Sequence, residues 1–337
     1  MRLQKGGIPR MFKRFSRRIL LITLVSVSAF ATASGLFSYY WAKRTVLSEF
    51  VSVSSNYFQT SRELLEQYLN STGETAKVIA NNPNLAVAAR GPNAYGEVPR
   101  LLDVLASGMN PDIRGIALYA ADGTVYSLSR MSNLPSLKQM MAEEPVRRFL
   151  EDGKRQSAWI SRYRDLSSYY DYRYVENGTF SFLLKTGQGG ESGVPGTMVV
   201  DLDAVQLFRF FASDHPFFAG NRLYLVRDGT DIVPSASGSE ASPFAEDDLR
   251  RVNGGTGGRF TSEDGSRLIL YETILESNAK IVAAIPLQSS YAHLSPLGRT
   301  VLLLGLLSGA LALALAFWLR AGIVRPLSQL YERMKSF

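Results

Sequence analysis

The stretch GIALYAADGTVYSL, residues 115–128, contains the pattern on which the fold prediction depends. Apolar and aromatic residues surround an Asp-Gly-Thr tripeptide at 122–124, which is typical of a tight turn between two antiparallel strands. The pattern returns in LYLVRDGTDIV, residues 223–233, with its Asp-Gly-Thr 106 residues further along the chain. Two matched hairpins predict a duplicated module of the α+β class. Coincidence is the alternative, because Asp-Gly turns are common.

Further strands and helices surround both hairpins. Alternating apolar residues predict strands, and apolar residues at a spacing of three and four predict helices. The predicted strands are Phe180–Lys185, Thr197–Leu202, Gly258–Thr261, Leu268–Glu272 and Lys280–Ile285, and the predicted helices are Tyr95–Ser107, Ser136–Glu151 and Ala204–Ala212.

A long helix is predicted to precede the first hairpin. Apolar side chains recur at a helical period over residues 46–68, and Asn81-Asn82-Pro83-Asn84 marks the end of the helix. Such a stripe is typical of burial against the same domain and of a dimer seam, and we expect burial with partial contact in a homodimer. The stripe comprises Val46, Phe50, Val53, Tyr57, Leu64 and Tyr68.

Two stretches without charged residues, 19–41 and 300–319, enclose the duplicated region. At about 1.5 Å per helical residue, each is long enough to cross a hydrocarbon core of about 30 Å. Residues 1–18 contain seven Lys or Arg and no acid, and residues 320–337 contain four Lys or Arg and one acid. The positive-inside rule therefore predicts a bacterial cell-membrane protein with two transmembrane helices, both termini in the cytoplasm and the region between outside.

The net charge of +7 comes from the two flanks. Without them, 26 Lys and Arg face 29 Asp and Glu, so the region between the spans has a net charge of −3. We therefore expect membrane lipid, and no nucleic acid, as a partner of the basic residues.

Small residues at 29, 31 and 33 also fit a cleavage site, so a signal peptide at 1–33 is the alternative to the first span. The apolar run continues past this point and ends in Tyr39-Tyr40-Trp41, which is typical of the outer membrane interface. Either alternative places the following region outside the cytoplasm.

The sequence contains no cysteine and two histidines, His215 and His293. Disulfides, thiolate metal ligands and cysteine nucleophiles are excluded, and neither a metal site nor a cofactor is predicted. No nucleophile elbow and no phosphate-binding loop occurs in the sequence. We therefore expect no catalytic domain in this chain.

The order of a long entry helix, two antiparallel α+β modules and a second apolar span resembles the double Cache sensor domain. The resemblance covers residues 42–295. Arg222–Gly229 is similar to the strand and turn that open the membrane-proximal module of that family, and Leu268–Tyr271 with Lys280–Pro286 is similar to its last two strands. The resemblance to the double Cache domain implies two tandem PAS-like modules on a long N-terminal helix. These are a distal module at about 81–205, which usually holds the ligand, and a proximal module at about 206–290.

Ile323–Met334 resembles the start of a HAMP domain. Pro326 fixes the backbone where a membrane helix would become the first signalling helix, and the apolar residues that follow are spaced as in a parallel four-helix bundle. A short basic tail on the membrane surface is the alternative. We predict a second transmembrane helix at 299–320, the start of a HAMP domain at 321–337, and signal transmission by Arg325, Pro326 and Leu327.

Aromatic and charged residues are concentrated at 159–173. Arg binds carboxylates through paired hydrogen bonds and Asp binds ammonium or hydroxyl groups, so this cluster is typical of a site for a small polar ligand. The family often adds an Asp at the end of the strand that matches 198–201. Its amino-acid-binding pattern, Arg-x-Trp-Tyr, is absent, and coverage of a sheet edge is the alternative. The predicted ligand-binding residues are Trp159, Arg162, Tyr163, Tyr170, Asp171 and Asp201.

These observations predict a transmembrane receptor that binds a small ligand outside the cell and signals through its second span. The resemblance implies the sensory half of a two-component histidine kinase with a response-regulator pathway. No transmitter lies within residues 1–337, so we expect a truncated receptor or one that uses a partner. The alternatives are an accessory subunit for a separate kinase or transporter, an anchored enzyme, and the sensory part of a chemoreceptor or diguanylate cyclase.

Overall fold

The computed structural model describes residues 8–107, 112–129, 131, 134–162, 178–187, 194–212, 222–235, 244–287 and 295–319. The chain forms two compact units. One comprises residues 52–287, and the other comprises residues 1–51 and 288–337. Helices and two antiparallel sheets make up the first unit, so the predicted α+β class is confirmed.

The first module contains a five-stranded antiparallel sheet in the order β2-β1-β5-β4-β3. Nearly every residue of its three central strands is buried. Its elements are α2 (Pro83–Arg90), α3 (Ala94–Ser107), β1 (Ile113–Ala120), β2 (Val125–Ser127), α4 (Leu137–Met140), α5 (Glu144–Glu151), β3 (Ser157–Ser161), β4 (Thr179–Thr186), β5 (Gly196–Asp203) and a 3₁₀ helix (Ala204–Phe211).

The second module repeats this sheet in the order β7-β6-β10-β9-β8. Its elements are β6 (Arg222–Arg227), β7 (Asp231–Pro234), α6 (Glu246–Gly254), β8 (Gly257–Thr261), β9 (Arg267–Thr273) and β10 (Ala279–Pro286). Because β6 to β10 take the places of β1 to β5, the predicted duplication is confirmed. The core on the α6 face consists of Tyr224, Val226, Val252, Ile269, Tyr271, Val282 and Ala284.

The two hairpins are equivalent, but their Asp-Gly-Thr tripeptides are offset by one position. The first strand pair closes where the Ala120 N–H donates to the Thr124 carbonyl, and the second closes at the pair Arg227 and Asp231. Each loop therefore has three residues, with Asp122 in the middle of one and Asp228 at the start of the other. The two hairpins are therefore equivalent by their place in the sheet topology and not by the position of the tripeptide.

The entry helix α1 runs unbroken over Ile8–Ala80, and its end before Asn81 was predicted. Its buried face within residues 52–80 differs from the predicted stripe, because Val53 is 52% exposed and Leu64 is 50% exposed. The prediction was wrong for these two since it considered only apolar residues, whereas the buried face also uses small polar ones that allow close approach. The buried face comprises Ser54, Phe58, Ser61, Leu65, Leu69, Thr72, Ala76 and Ile79.

Several short elements differ from the predictions. The single helix expected over 136–151 is divided into α4 and α5, because Pro145 at the start of α5 cannot continue a helix from α4. The helix α6 was missed, since only Leu249 and Val252 mark its apolar side. The strand β3 was also missed, because its sequence was interpreted as part of a binding cluster.

In the second unit, α7 covers Ser295–Leu319. Among the residues that the structure describes, no helix combines the length and the apolar character required to cross a membrane.

Candidate functional site

Arg162 is the buried cation of the first module. It directly follows β3, and its backbone N–H donates to the Thr179 carbonyl over 2.8 Å, which extends the β3–β4 ladder by one residue. Only 3% of Arg162 is exposed. Its guanidinium lies between two carboxylates, with Nη1 3.7 Å from Asp201 Oδ1 and Nη2 3.5 Å from Glu143 Oε1. We call Arg162, Asp201 and Glu143 the buried charge cluster.

The sheet register brings this cluster together. Asp201 on β5 lies opposite Ser181 on β4, and Ser181 lies opposite Ile160 on β3. Directly opposed residues share one face of a sheet and alternate residues return to it, so Asp201, Ser181 and Arg162 occupy the same face. The Ser181 hydroxyl donates to Asp201 Oδ1 over 2.5 Å and lies 3.0 Å from the Thr179 hydroxyl.

The third member, Glu143, is supplied by the segment before α5. It occupies the N-cap position of α5, but its side chain makes no capping hydrogen bond. The helix α5 packs on the face that holds Arg162, where Lys185 Nζ lies 5.0 Å from the centre of the Phe149 ring. Glu143 therefore approaches Arg162 from above the sheet, while Asp201 approaches from within it.

Burial raises the pKa of Glu143 above its ordinary value, and the attraction of Arg162 opposes this rise. With both carboxyls ionised, the cluster holds one positive and two negative charges. Burying such groups costs free energy unless partners compensate for the lost water, and clusters of this kind are concentrated at functional sites.

Trp159 lies on the opposite face of the sheet. Its ring stacks on Phe180 at 5.2 Å with an interplanar angle of 9°, and it contacts Phe182 at 5.1 Å. A Cβ added to Gly73 on α1 would lie 3.2 Å from the Phe182 ring, so this is the face that packs on α1. Three positions along a strand reverse the side-chain direction, and Trp159 is therefore a core residue separated from the buried charge cluster.

Six other predicted residues lie outside the described part of the chain. Tyr163, Tyr170 and Asp171 fall within residues 163–177, and Arg325, Pro326 and Leu327 fall within residues 320–337. Their roles remain predictions. The structure thus brings together Arg162 and Asp201 from the predicted set and adds Glu143, which no local sequence pattern distinguishes from other acids.

A second group of contacts joins the cluster to the second module. The Ser161 N–H donates to Asn278 Oδ1 over 2.8 Å, and Asn278 Nδ2 donates to the Ser161 carbonyl over 3.0 Å. Arg227, only 1% exposed, donates from Nη1 to the Arg162 carbonyl over 2.6 Å and forms an ion pair with Asp231. We call Asn278 and Arg227 the module clamp. Sequence reasoning missed both, because their partners are distant in the chain.

The fold occurs in bacterial ligand-binding domains. The ligand-binding domain of Pseudomonas fluorescens chemoreceptor CtaA, solved in complex with L-isoleucine, superposes with a TM-score of 0.50 at 12% identity, covering 75% of this chain and 98% of that one. The sensory domain of Campylobacter jejuni chemoreceptor Tlp3 with isoleucine bound gives a TM-score of 0.53 at 10% identity, covering 74% and 98%. The Tlp3 ligand-binding domain with L-valine gives 0.51 at 9% identity, also covering 74% and 98%.

No protein-family model and no curated protein sequence matches this chain. The likeness to these solved structures therefore establishes the fold, which this chain shares with ligand-binding sensory domains.

Proposed function

We propose that residues 42–295 form the extracytoplasmic sensor of a membrane receptor and that the first module binds a small polar ligand at the buried charge cluster. The cluster is the observation that carries this proposal. A sheet interior has no structural need for an arginine between two carboxylates, and apolar residues of similar volume often stabilise a core equally well. A charged recognition site explains why these groups are kept out of water.

The ligand that suits the cluster carries an ammonium group. Asp201 and Glu143 would accept hydrogen bonds from it, and Arg162 would pair with a carboxylate on the same molecule. A free amino acid satisfies both requirements, and isoleucine and valine are bound by neighbours of the same fold. An amine satisfies only the requirement for an ammonium group. Tyr163, Tyr170 and Asp171 complete the proposed site on sequence grounds.

A thermal-shift screen of the full chain against amino acids, amines, organic acids and sugars tests the binding proposal. An amino acid or amine should raise the melting temperature, and Arg162→Ala and Asp201→Ala should remove that shift. Arg250→Ala is the matched control, because Arg250 on α6 is exposed and pairs only with Glu246 and Asp247. A hit whose shift survives in both cluster variants would place the ligand elsewhere.

We also propose that residues 19–41 and 299–320 cross the membrane with both termini in the cytoplasm. Their lack of charge between basic flanks supports this topology. The chain lacks cysteine, so a single introduced thiol gives an unambiguous label. In intact bacteria, a membrane-impermeant maleimide should label Ser71→Cys, at an exposed position on α1, and should not label Ser336→Cys. Equal labelling of both would contradict the topology.

Signal transmission is proposed to run from the cluster through the module clamp to the second module. Support comes from the clamp itself, which contacts the backbone of Ser161 and Arg162. The last strand of the second module, β10, is followed in sequence by α7 and the HAMP-like segment. We propose a homodimer in which Arg325, Pro326 and Leu327 transmit the change to a histidine kinase transmitter and its response regulator. A reconstituted kinase fusion should lose ligand-dependent phosphorylation in Asn278→Ala while still binding ligand.

A further inference from the structure

A separate cleft of about 320 Å³ lies in the second module, between α1 and the edge formed by β8 and β9. This volume is at the lower end of the range for sites that bind small molecules. The helix presents one face to the cleft, with residues spaced by three, one and three positions. The cleft is lined by Ser55, Phe58, Gln59 and Arg62 from α1 and by Gly258, Arg259, Leu270, Tyr271 and Glu272 from the sheet.

Two adjacent glycines at the start of β8 leave room for polar side chains of β9. A Cβ added to Gly257 would lie 2.0 Å from Glu272 Oε2, and one added to Gly258 would lie 3.1 Å from the Tyr271 hydroxyl oxygen. Any larger residue at 257 would displace the Glu272 carboxylate. The start of β8 is therefore shaped around the side chains of β9.

The cleft holds two arginines and one carboxylate. Arg62 Nη1 lies 3.1 Å from Glu272 Oε1, which compensates one positive charge. The Nε of Arg62 is screened from solvent and lies 3.7 Å from Glu66 Oε1, so a second carboxylate pairs with this arginine. Arg259 donates from Nη1 to the Ser55 hydroxyl over 3.1 Å, and within the described ranges no carboxylate forms an ion pair with it.

Phe58 and Leu270 supply an apolar part of the lining beside these cations. Phe58 is 8% exposed and Leu270 is 2% exposed, so their surfaces form the floor of the cleft. Such a floor beside a cation that lacks a counter-charge suits an anion that has an apolar part, since a guanidinium binds a carboxylate through paired hydrogen bonds. An inorganic anion would leave the apolar floor without a partner.

We propose that this cleft binds a small organic carboxylate, with its charged group at Arg259 and its apolar part on Phe58 and Leu270. The site is distinct from the buried charge cluster and of opposite charge preference. A bound ligand would contact α1 and the β8–β9 edge at once, because Phe58 lies on α1 whereas Arg259 and Leu270 lie on the sheet. It would thus stabilise the packing of α1 on the second module.

Calorimetric titration of the full chain with butyrate tests the proposal. Butyrate should bind saturably and more tightly than acetate, because the longer chain covers more of the apolar floor. Its neutral isostere butyramide should not bind. Arg259→Gln should weaken butyrate binding about tenfold or more, as expected for loss of a charge-assisted pair. Arg250→Gln is the matched control on the same module and should bind as the unmodified chain does.

Each contrary result overturns the inference. These results are absence of butyrate binding, equal binding of butyramide, unchanged affinity in Arg259→Gln, and binding of inorganic phosphate at least as tight as that of butyrate. Asp201→Ala separates the two proposed sites. Butyrate binding that persists in this variant supports the second site, and its loss would assign butyrate to the first module.

Discussion

The first and second modules share one strand order and one backbone pattern, which allows a position-by-position comparison of their sheets. The Arg162 N–H donates to the Thr179 carbonyl, and the Ser262 N–H donates to the Arg267 carbonyl at the equivalent place. Likewise, directly after β1 the Ala121 N–H donates to the Pro195 carbonyl, and directly after β6 the Asp228 N–H donates to the Asn278 carbonyl. The strand pairings around these bonds agree.

Equivalent positions of the two sheets carry polar or charged residues in the first module and apolar residues in the second. Asp201 corresponds to Ala284, since each lies five residues into the pairing of the last strand with the first. Ser181, opposite Asp201, corresponds to Ile269, opposite Ala284. Ala284 and Ile269 belong to the apolar core under α6. The second module shows that this fold closes with apolar residues here, so the buried charges of the first module are not required by the fold.

The largest expected effect comes from giving the second module the carboxylate of the first. Ala284→Asp should lower the free energy of unfolding by about 4 kcal/mol, because the new charge is buried without a cation. Urea unfolding of the full chain measures this loss. Val104→Asp on α3, at a site 63% exposed, is the control and should change stability little. Equal losses would mean that burial at position 284 is not the cause of the destabilisation.

The reverse change removes the carboxylate of the first module. Asp201→Ala should lower the free energy of unfolding by about 3 kcal/mol, because Arg162 loses one of its two described carboxylate partners. Asp201→Asn keeps the acceptor for Ser181 and should cost less. A variant as stable as the unmodified chain would show that the cluster is not held by this ion pair.

The clamp between the modules is expected to contribute less. Asn278→Ala removes two hydrogen bonds to Ser161 and should cost about 1–2 kcal/mol. Hydrogen exchange of the Ser161 amide should also accelerate. Asn253→Ala is the control, because Asn253 donates to the Gly229 carbonyl within the second module. If Asn253→Ala accelerates hydrogen exchange of the Ser161 amide equally, the module clamp does not protect this amide.

The two modules should also respond to pH in opposite directions, through Glu143 and Asp264. Burial raises the pKa of Glu143, so the folded state retains its proton more strongly than the unfolded state. The stability that Glu143 contributes should therefore fall as the pH rises from the ordinary pKa of a glutamate through the raised pKa of Glu143. Glu143→Gln should remove this slope, with an effect smaller than that of Asp201→Ala, as measured by urea unfolding between acidic and neutral pH.

The smallest effect is expected at Asp264. Hydrogen bonds from Ser262 and Ser266 lower its pKa to about 2. Its contribution to stability is present above the ordinary pKa of 3.8 and is lost as pH falls through about 2. Asp264→Asn should reduce the loss of the free energy of unfolding between pH 3.8 and about 2, as measured by urea unfolding across this pH range. The same slope in the variant would mean that this turn does not contribute.

Much of the architecture was predictable because its signals are local. The strands at 180–185, 197–202 and 268–272 were predicted within one residue at each end of their observed bounds. The end of α1 before Asn81 was also predicted, since a proline follows at 83. The buried face of α1 was predicted incorrectly at Val53 and Leu64, because small polar residues on a helix carry no apolar signal.

The candidate site was predictable only in part. Arg162 was identified from the aromatic and charged cluster and Asp201 from the family resemblance, and the structure places them on one buried face. Trp159 was grouped with them because it is near in sequence, yet the alternation along β3 turns it to the other face. Glu143 and Asn278 gave no signal, since each acquires its role from residues distant in the chain.

The sequence by itself determined most of the strands, the duplication and the apolar stretches, because turn chemistry and side-chain periodicity act over a few residues. The tertiary structure alone decided that Asp201, Arg162 and Glu143 share a buried face while the equivalent face of the second module is apolar. That outcome depends on strand order and register, which pair residues from separate strands. A shift of one residue would reverse every side chain, so chemistry at the site follows from pairing and not from proximity along the chain.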